Sequence, residues 1–160
     1  MKIITNSAKE TQKFAKGFAK KLKAGDILCL TGSLGSGKTT FIQGLAKGLG
    51  VKGKVISPTF VLMSIYKGRI PLYHFDLYRL NSTDDVRALG YEEFFYGDGA
   101  AVIEWAERLK ELLPAECVRI KIEILGKNKR ELLISTKSLR PSYSGRDFAH
   151  LERMGEESTK

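Results

Sequence analysis

Apolar residues recur at helical spacing after Ser7: Phe14, Phe18 and Leu22, with Ala15 and Ala19 beside them. This spacing predicts one buried helix face. Ser7-Ala8-Lys9-Glu10 has the form of a capping box, in which the Ser7 hydroxyl caps the helix and Glu10 reaches back. Gly25-Asp26 is the expected end of this helix. DILCLT (26–31) is then almost wholly apolar, as a strand covered on both faces of a parallel sheet must be. A glycine-rich stretch follows, and Phe41, Ile42, Leu45 and Leu49 return to helical spacing. VISPTFVLMSIY (55–66) reads as extended, with Ser57-Pro58 forcing a bend. Lys67-Gly68-Arg69 is a turn signal, and RIPLYHFDLYRL (69–80) resumes the strand pattern, so the two segments predict a hairpin. STDDVRALG, capped at Ser82 or Thr83, predicts a short helix. AAVIEW (100–105) is a second buried strand, and AERLKELLP a helix closed by Pro114. Val118, Ile120, Ile122 and Ile124 alternate as in a half-buried strand, and the turn GKNKRE leads to LLIST and a second hairpin.

Buried strands alternating with helices predict an α/β fold: one P-loop NTPase-like domain with a mainly parallel central sheet, antiparallel hairpins and flanking helices. Residues 1–138 carry these signals. Residues 139–160 are polar and read as a tail that either frays or forms a short helix around 147–154. A chain of 160 residues is long enough for one substantial core.

Hydrophobic residues make up 42% and charged residues 28%, and no apolar run has the ~20 residues of a membrane helix. MKIITNSAKE lacks the apolar core of a signal peptide. Cys29 and Cys117, far apart in the sequence, read as reduced core residues, and a cytoplasmic protein without a membrane role is expected. No Cys/His cluster suggests zinc. The formal charge of +9 is compatible with attraction to a polyanion such as nucleic acid, or simply with a solvated basic surface. The basic residues are scattered: Lys13, Lys16, Lys20, Lys21 and Lys23 near one helix, Lys127, Lys129 and Arg130 in one turn.

The glycine-rich stretch holds the most chemistry. Gly32-Ser33-Leu34-Gly35-Ser36-Gly37-Lys38-Thr39, with Thr40 following, fits G-x-x-x-x-G-K-[ST] between a buried strand and a helix. Its glycines let successive N–H groups point at phosphate oxygens, and the following helix adds its positive end. Lys38 supplies a charge for the β- and γ-phosphates, and Thr39 a hydroxyl for Mg²⁺. The motif indicates nucleoside triphosphate binding without saying what the triphosphate does.

Such a site also needs an acid near the metal, at the end of a neighbouring buried strand. Glu104 closes AAVIE and is the candidate metal-side acid; it could instead be a helix cap or a surface acid. Asp76, in YHFDLYR, either holds or orients a water, or pairs with Arg79. Thr59, after the Ser57-Pro58 bend, is a candidate γ-phosphate sensor or an ordinary edge residue. Trp105 follows Glu104 and is either core or a reporter of nucleotide binding. His74 alternates with apolar residues and reads as structural. His150 carries no signal.

Three kinds of P-loop protein compete. A GTPase needs D-x-x-G and N-K-x-D; Asn128-Lys129-Arg130-Glu131 approaches the latter but lies in a hairpin turn and ends in Glu. A small-molecule kinase needs an arginine-rich lid, whereas Arg69, Arg79, Arg87 and Arg108 are dispersed. A nucleotide-gated binding module, which keeps ATP intact, fits a chain with no evident arginine finger.

Four blocks in order, GSLGSGKTTF, SPTF, YHFDLYRL and VIEWAERL, together with SAKET, resemble the TsaE family over about residues 3–136. Ser33 stands where that family often has Asp. The resemblance implies an ATPase using ATP and Mg²⁺ in tRNA threonylcarbamoyladenosine synthesis. It implies TsaB and TsaD as partners, tRNA reached through their complex, and slow hydrolysis that the partners stimulate and that resets the complex. It further implies Lys38 and Thr39 as the P-loop lysine and metal threonine, Glu104 as the metal-side acid and Asp76 as an essential acid. Thr59 falls on the threonine of the SPT block and Trp105 on the tryptophan after the acid. Residues from Ser7 to Thr11, and Lys129 or Arg130, are implied to flank adenine.

Overall fold

The structure, a computed structural model, describes residues 1–135. Seven strands form one sheet: β1 (Lys2–Thr5), β2 (Ile27–Thr31), β3 (Met63–Tyr66), β4 (Leu72–Asp76), β5 (Ala100–Glu104), β6 (Val118–Ile124) and β7 (Arg130–Ser135), in the spatial order β1-β7-β6-β2-β5-β4-β3. The four central strands, β6, β2, β5 and β4, are parallel; β3, β7 and β1 add antiparallel edges. The apolar run of β2 follows from its place at the middle of the sheet. Leu28 and Leu30 face one layer, and Ile27 and Cys29 the other. The predicted fold class and both hairpins are present.

Two helices, α1 (Ala8–Ala19) and α2 (Lys38–Gly48), cover the first face, where Phe14, Phe18 and Phe41 pack with ring centroids 6.2–6.4 Å apart. The second face is covered by α3 (Thr83–Ala88), α4 (Tyr91–Phe95) and a 3₁₀ helix (Ala106–Leu112), over Phe75, Phe95, Ile103 and Leu109. Cys29 and Cys117 are both buried and free on this face. A hydrogen bond with Cys117, together with burial, pushes the Cys29 thiol up. Among the described residues no helix is long and apolar enough to cross a membrane.

Several elements differ from their sequence-based expectations. Lys2–Thr5 is an edge strand on β7, although so short a segment carries little periodic signal. Helix α1 ends at Ala19, six residues before Gly25; Lys21 and Leu22 continue in tighter turns that still bury Leu22. Its cap is Ser7, whose Oγ accepts from Glu10 N at 3.1 Å, but Glu10 reaches back to Asn6 N, at 2.6 Å. Of the extended segment 55–66 only Met63–Tyr66 is strand. Pro58 cannot donate to a ladder, and Leu62 takes φ +65° as the chain turns into β3. In 69–80 the strand stops at Asp76. Residues 106–112 form a 3₁₀ helix rather than an α-helix, entered through Trp105 at φ +57° and broken by Lys110 at φ +50°. Helix α4 was not expected. The tail 139–160, with its proposed helix and His150, lies outside the described residues.

Candidate functional site

The parallel strands all deliver their C-terminal ends to one edge, and β2 runs there into residues 32–37. Gly32 has φ +150°, and a Cβ built on it would lie 2.5 Å from the Ile122 carbonyl oxygen; Gly37 has φ +103°. Only glycine tolerates both demands. Lys38 opens α2 with its side chain folded into the loop. Its Nζ donates to Gly32 O (2.7 Å), Ser33 O (3.0 Å) and Ser36 Oγ (3.4 Å) and lies 4.0 Å from the centroid of the Trp105 ring. The residue is 5% exposed. Desolvation draws the ammonium below its ordinary value, opposed by the charges of Glu104, Glu107 and Asp76. A triphosphate would add negative charge beside this buried cation.

Asp76 and Glu104 are register partners at the ends of β4 and β5, and both are buried. Glu104 caps no helix and is no surface acid. Its Oε1 accepts from Thr39 Oγ1 at 2.7 Å and lies 2.9 Å from His74 Nε2. Asp76 does not pair with Arg79, whose guanidinium stacks over Phe60 at 4.3 Å. Instead Asp76 Oδ2 accepts from the Ser57 hydroxyl and from Thr59 Oγ1 at 3.0 Å, while Oδ1 accepts from Tyr78 N at 2.9 Å. Thr59 therefore sits on a loop beside the acid, not on an edge strand. Two carboxylates on adjacent strands in a buried setting repel each other unless a cation lies near. The donors available are all hard oxygens, Thr39 Oγ1 and the two carboxylates, a set suited to Mg²⁺ held by few protein groups and completed by phosphate oxygens and water.

These groups meet in a cleft of about 360 Å³, where Leu34, Gly35, Gly37–Thr40, Ser57, Thr59, Asp76, Tyr78, Glu104 and Trp105 line the wall. Among the described residues no arginine lines it. Trp105 is partly buried and packs on Tyr78 with ring centroids 5.1 Å apart, so its indole belongs to the cleft as much as to the core. On the other side of the loop a smaller cleft of about 120 Å³ brings together Ala8, Thr11, Gly35–Gly37, Thr40, Lys127, Asn128 and Arg130. Arg130 braces the loop there, donating from Nε to Ser36 O (2.9 Å) and from a terminal nitrogen to Gly35 O (3.2 Å). Thr11 Oγ1 is tied to Thr5 Oγ1 at 2.7 Å.

The structure thus brings Lys38, Thr39, Thr59, Asp76, Glu104 and Trp105 to one cleft, and Thr11 and Arg130 to its neighbour. Sequence reasoning missed Ser57 and Tyr78, and it left His74 as structural. A signal for His74 existed: it precedes Asp76 by two residues, and the two-residue period of a strand places both on one face.

Comparison with known proteins supplies independent information. Residues 5–132 match the family model "Threonylcarbamoyl adenosine biosynthesis protein TsaE". The chain is 40% identical to the tRNA threonylcarbamoyladenosine biosynthesis protein TsaE of Treponema pallidum, across 84% of this chain and 100% of that protein. It is 44% identical to the Bacillus subtilis protein of the same name, across 82% and 83% of the two. The crystal structure of Bacillus subtilis YdiB superposes with a TM-score of 0.76 at 35% identity, covering 99% of this chain and 92% of that one.

Proposed function

The chain belongs to the TsaE family, and from that premise we propose that it is a Mg²⁺-dependent ATPase of tRNA threonylcarbamoyladenosine biosynthesis. It works in the cytoplasm with TsaB and TsaD, meets tRNA through their complex, and hydrolyses ATP to reset that complex between cycles. The observation that carries the reading is the convergence of Lys38, the Thr39–Glu104 pair and the hydroxyl-held Asp76 on one cleft that no arginine among the described residues lines.

The roles follow from position. Backbone N–H groups of residues 33–39 and the positive end of α2 cradle the phosphates. Lys38 exchanges its loop carbonyls for β- and γ-phosphate oxygens. Thr39 and Glu104 would hold Mg²⁺, which would supply charge neutralisation at the phosphate oxygens. Asp76 would orient the attacking water or hold a metal-bound one, and Thr59 sits beside it as the candidate γ-phosphate sensor. Adenine extends toward Thr11 and Arg130.

Among the described residues no arginine lines the cleft, and Arg108 is held over the rings of Tyr78 and Trp105 at its wall (5.8 and 5.7 Å), so hydrolysis by the chain alone is slow. A finger supplied in trans is worth ~10³–10⁵ in rate elsewhere, which gives TsaD and TsaB a physical role. The same lack favours one other reading, a module that binds ATP without useful hydrolysis. Phosphate release from Mg²⁺-ATP separates them, measured alone and with the TsaB–TsaD pair of the same organism. Slow release that rises with the pair supports the ATPase. Bound, intact ATP with no release in either case overturns it in favour of the module.

A further inference from the structure

His74 lies fully buried in the middle of β4, on the sheet face that also carries Asp76 and Glu104. A histidine kept there only for packing could be replaced by an apolar residue at no loss, because its register partner is Val102 and Tyr66 packs against its ring. The imidazole makes one polar contact, from Nε2 to Glu104 Oε1 at 2.9 Å. Its Nδ1 is buried without a hydrogen-bond partner among the described residues. Leaving a polar atom unsatisfied in a core is costly, so what His74 contributes must come through Nε2. A carboxylate oxygen only accepts, which assigns the Nε2 proton to this contact.

The contact has a particular geometry. Thr39 Oγ1 and His74 Nε2 both converge on Oε1, at 2.7 and 2.9 Å, and no described residue donates to Oε2. Two donors on one oxygen fix the plane of the carboxylate and keep the other oxygen free. A threonine hydroxyl can still donate its proton to Oε1 while its own oxygen ligates a metal. Tyr66 holds the imidazole from behind, with ring centroids 6.3 Å apart, and its hydroxyl donates to Ile56 O at 3.1 Å.

We propose that His74 is a positioning residue for the metal acid: through Nε2 it orients Glu104 so that this carboxylate and Thr39 bind Mg²⁺ together. The proposal rests on the ATPase reading above. Outer partners of this type set metal affinity by ~10–100-fold in other metal sites.

The test is Mg²⁺ dependence of binding rather than turnover. ATP affinity is measured by calorimetry across a Mg²⁺ titration and in excess EDTA, for wild type, His74→Phe and His74→Gln. Glutamine can place an amide donor near the Nε2 position; phenylalanine fills the space without a donor. The expected result is a ~10–100-fold rise in the Mg²⁺ concentration needed by His74→Phe, unchanged affinity in EDTA, and substantial recovery in His74→Gln. Should His74→Phe not fold, His74→Leu takes its place. Wild-type Mg²⁺ dependence in a folded apolar variant overturns the proposal. So does an equal loss with and without Mg²⁺ that glutamine does not rescue, since that pattern belongs to packing. Wild-type protein whose ATP binding ignores Mg²⁺ would sink the ATPase reading itself, a result distinguishable from either.

Discussion

Gly44, in the middle of α2, is a position where the sign of a mutation tests the packing. Changing glycine to alanine inside a helix ordinarily stabilises by about 1 kcal/mol, because alanine loses less backbone entropy. Here a Cβ would lie 2.4 Å from Gln12 O, 2.7 Å from Gln12 Cα and 2.8 Å from Ala15 Cβ, all on α1. Ordinary carbon contacts are ~3.5–4.0 Å, so the helices must part by roughly 1 Å. Two of the three obstacles are backbone and cannot rotate away. Overpacking of this kind costs ~1–3 kcal/mol, and rigid neighbours place Gly44→Ala near the upper end. Subtracting the helix gain leaves a net loss of about 2 kcal/mol. At ~2–4 °C per kcal/mol for a chain near this size, Tm falls by ~4–8 °C. Urea unfolding followed by circular dichroism should show a lower midpoint with an unchanged slope. ATP affinity should fall as well, because α2 carries Lys38 and Thr39 on its first turn. A Tm that rises, as at an exposed helix glycine, would refute the close α1–α2 contact.

Trp105 is the only tryptophan, and the Lys38 ammonium lies 4.0 Å from its ring centroid. Adding Mg²⁺-ATP should draw Lys38 to the phosphates and change the emission, whereas Lys38→Ala should abolish the change; an unresponsive wild type would refute the exchange. Glu104→Gln should remove Mg²⁺-dependent phosphate release while leaving Tm close to wild type, since the amide oxygen can still accept from Thr39; wild-type release would mean that another group holds the metal. A hydrogen bond to Asp98, followed by burial, pushes the Tyr73 phenol up from 10.0 to about 12. Between those values the folded state binds more protons than the unfolded one, so this contribution to stability is complete below pH 10 and is lost as pH rises toward 12. In an ultraviolet titration Tyr73→Phe should remove a tyrosine that ionises near pH 12, and an unchanged late phase would refute the assignment.

Periodicity says which face of an element is buried, and this was enough for β2, α1, α2, β5 and both hairpins. The motif 32–39 is legible as a candidate phosphate-binding loop, because few other uses exist for that many glycines before a lysine and a threonine. The family resemblance was also legible, in four blocks whose order and spacing lie within the chain itself. What periodicity does not carry is the identity of the neighbour. Nothing local says that β2 lies between β5 and β6, or that Lys2–Thr5 pairs with a strand more than 120 residues later. Nor does anything local place Arg130 on the carbonyls of Gly35 and Ser36. Only the assembled sheet puts Asp76 level with Glu104 and sets His74 one step behind on the same face. Asp76 was visible as an acid, but Ser57 and Thr59 closing on it required the turn after Pro58. The 3₁₀ form of 106–112 was likewise decided by tertiary packing, since Trp105 turns to φ +57° where its indole meets Lys38 and Tyr78. Local sequence determines hydrophobic faces and short-range turns through sterics and burial. The site's geometry depends on contacts between strands distant in the chain, which only the closed sheet brings within hydrogen-bonding reach.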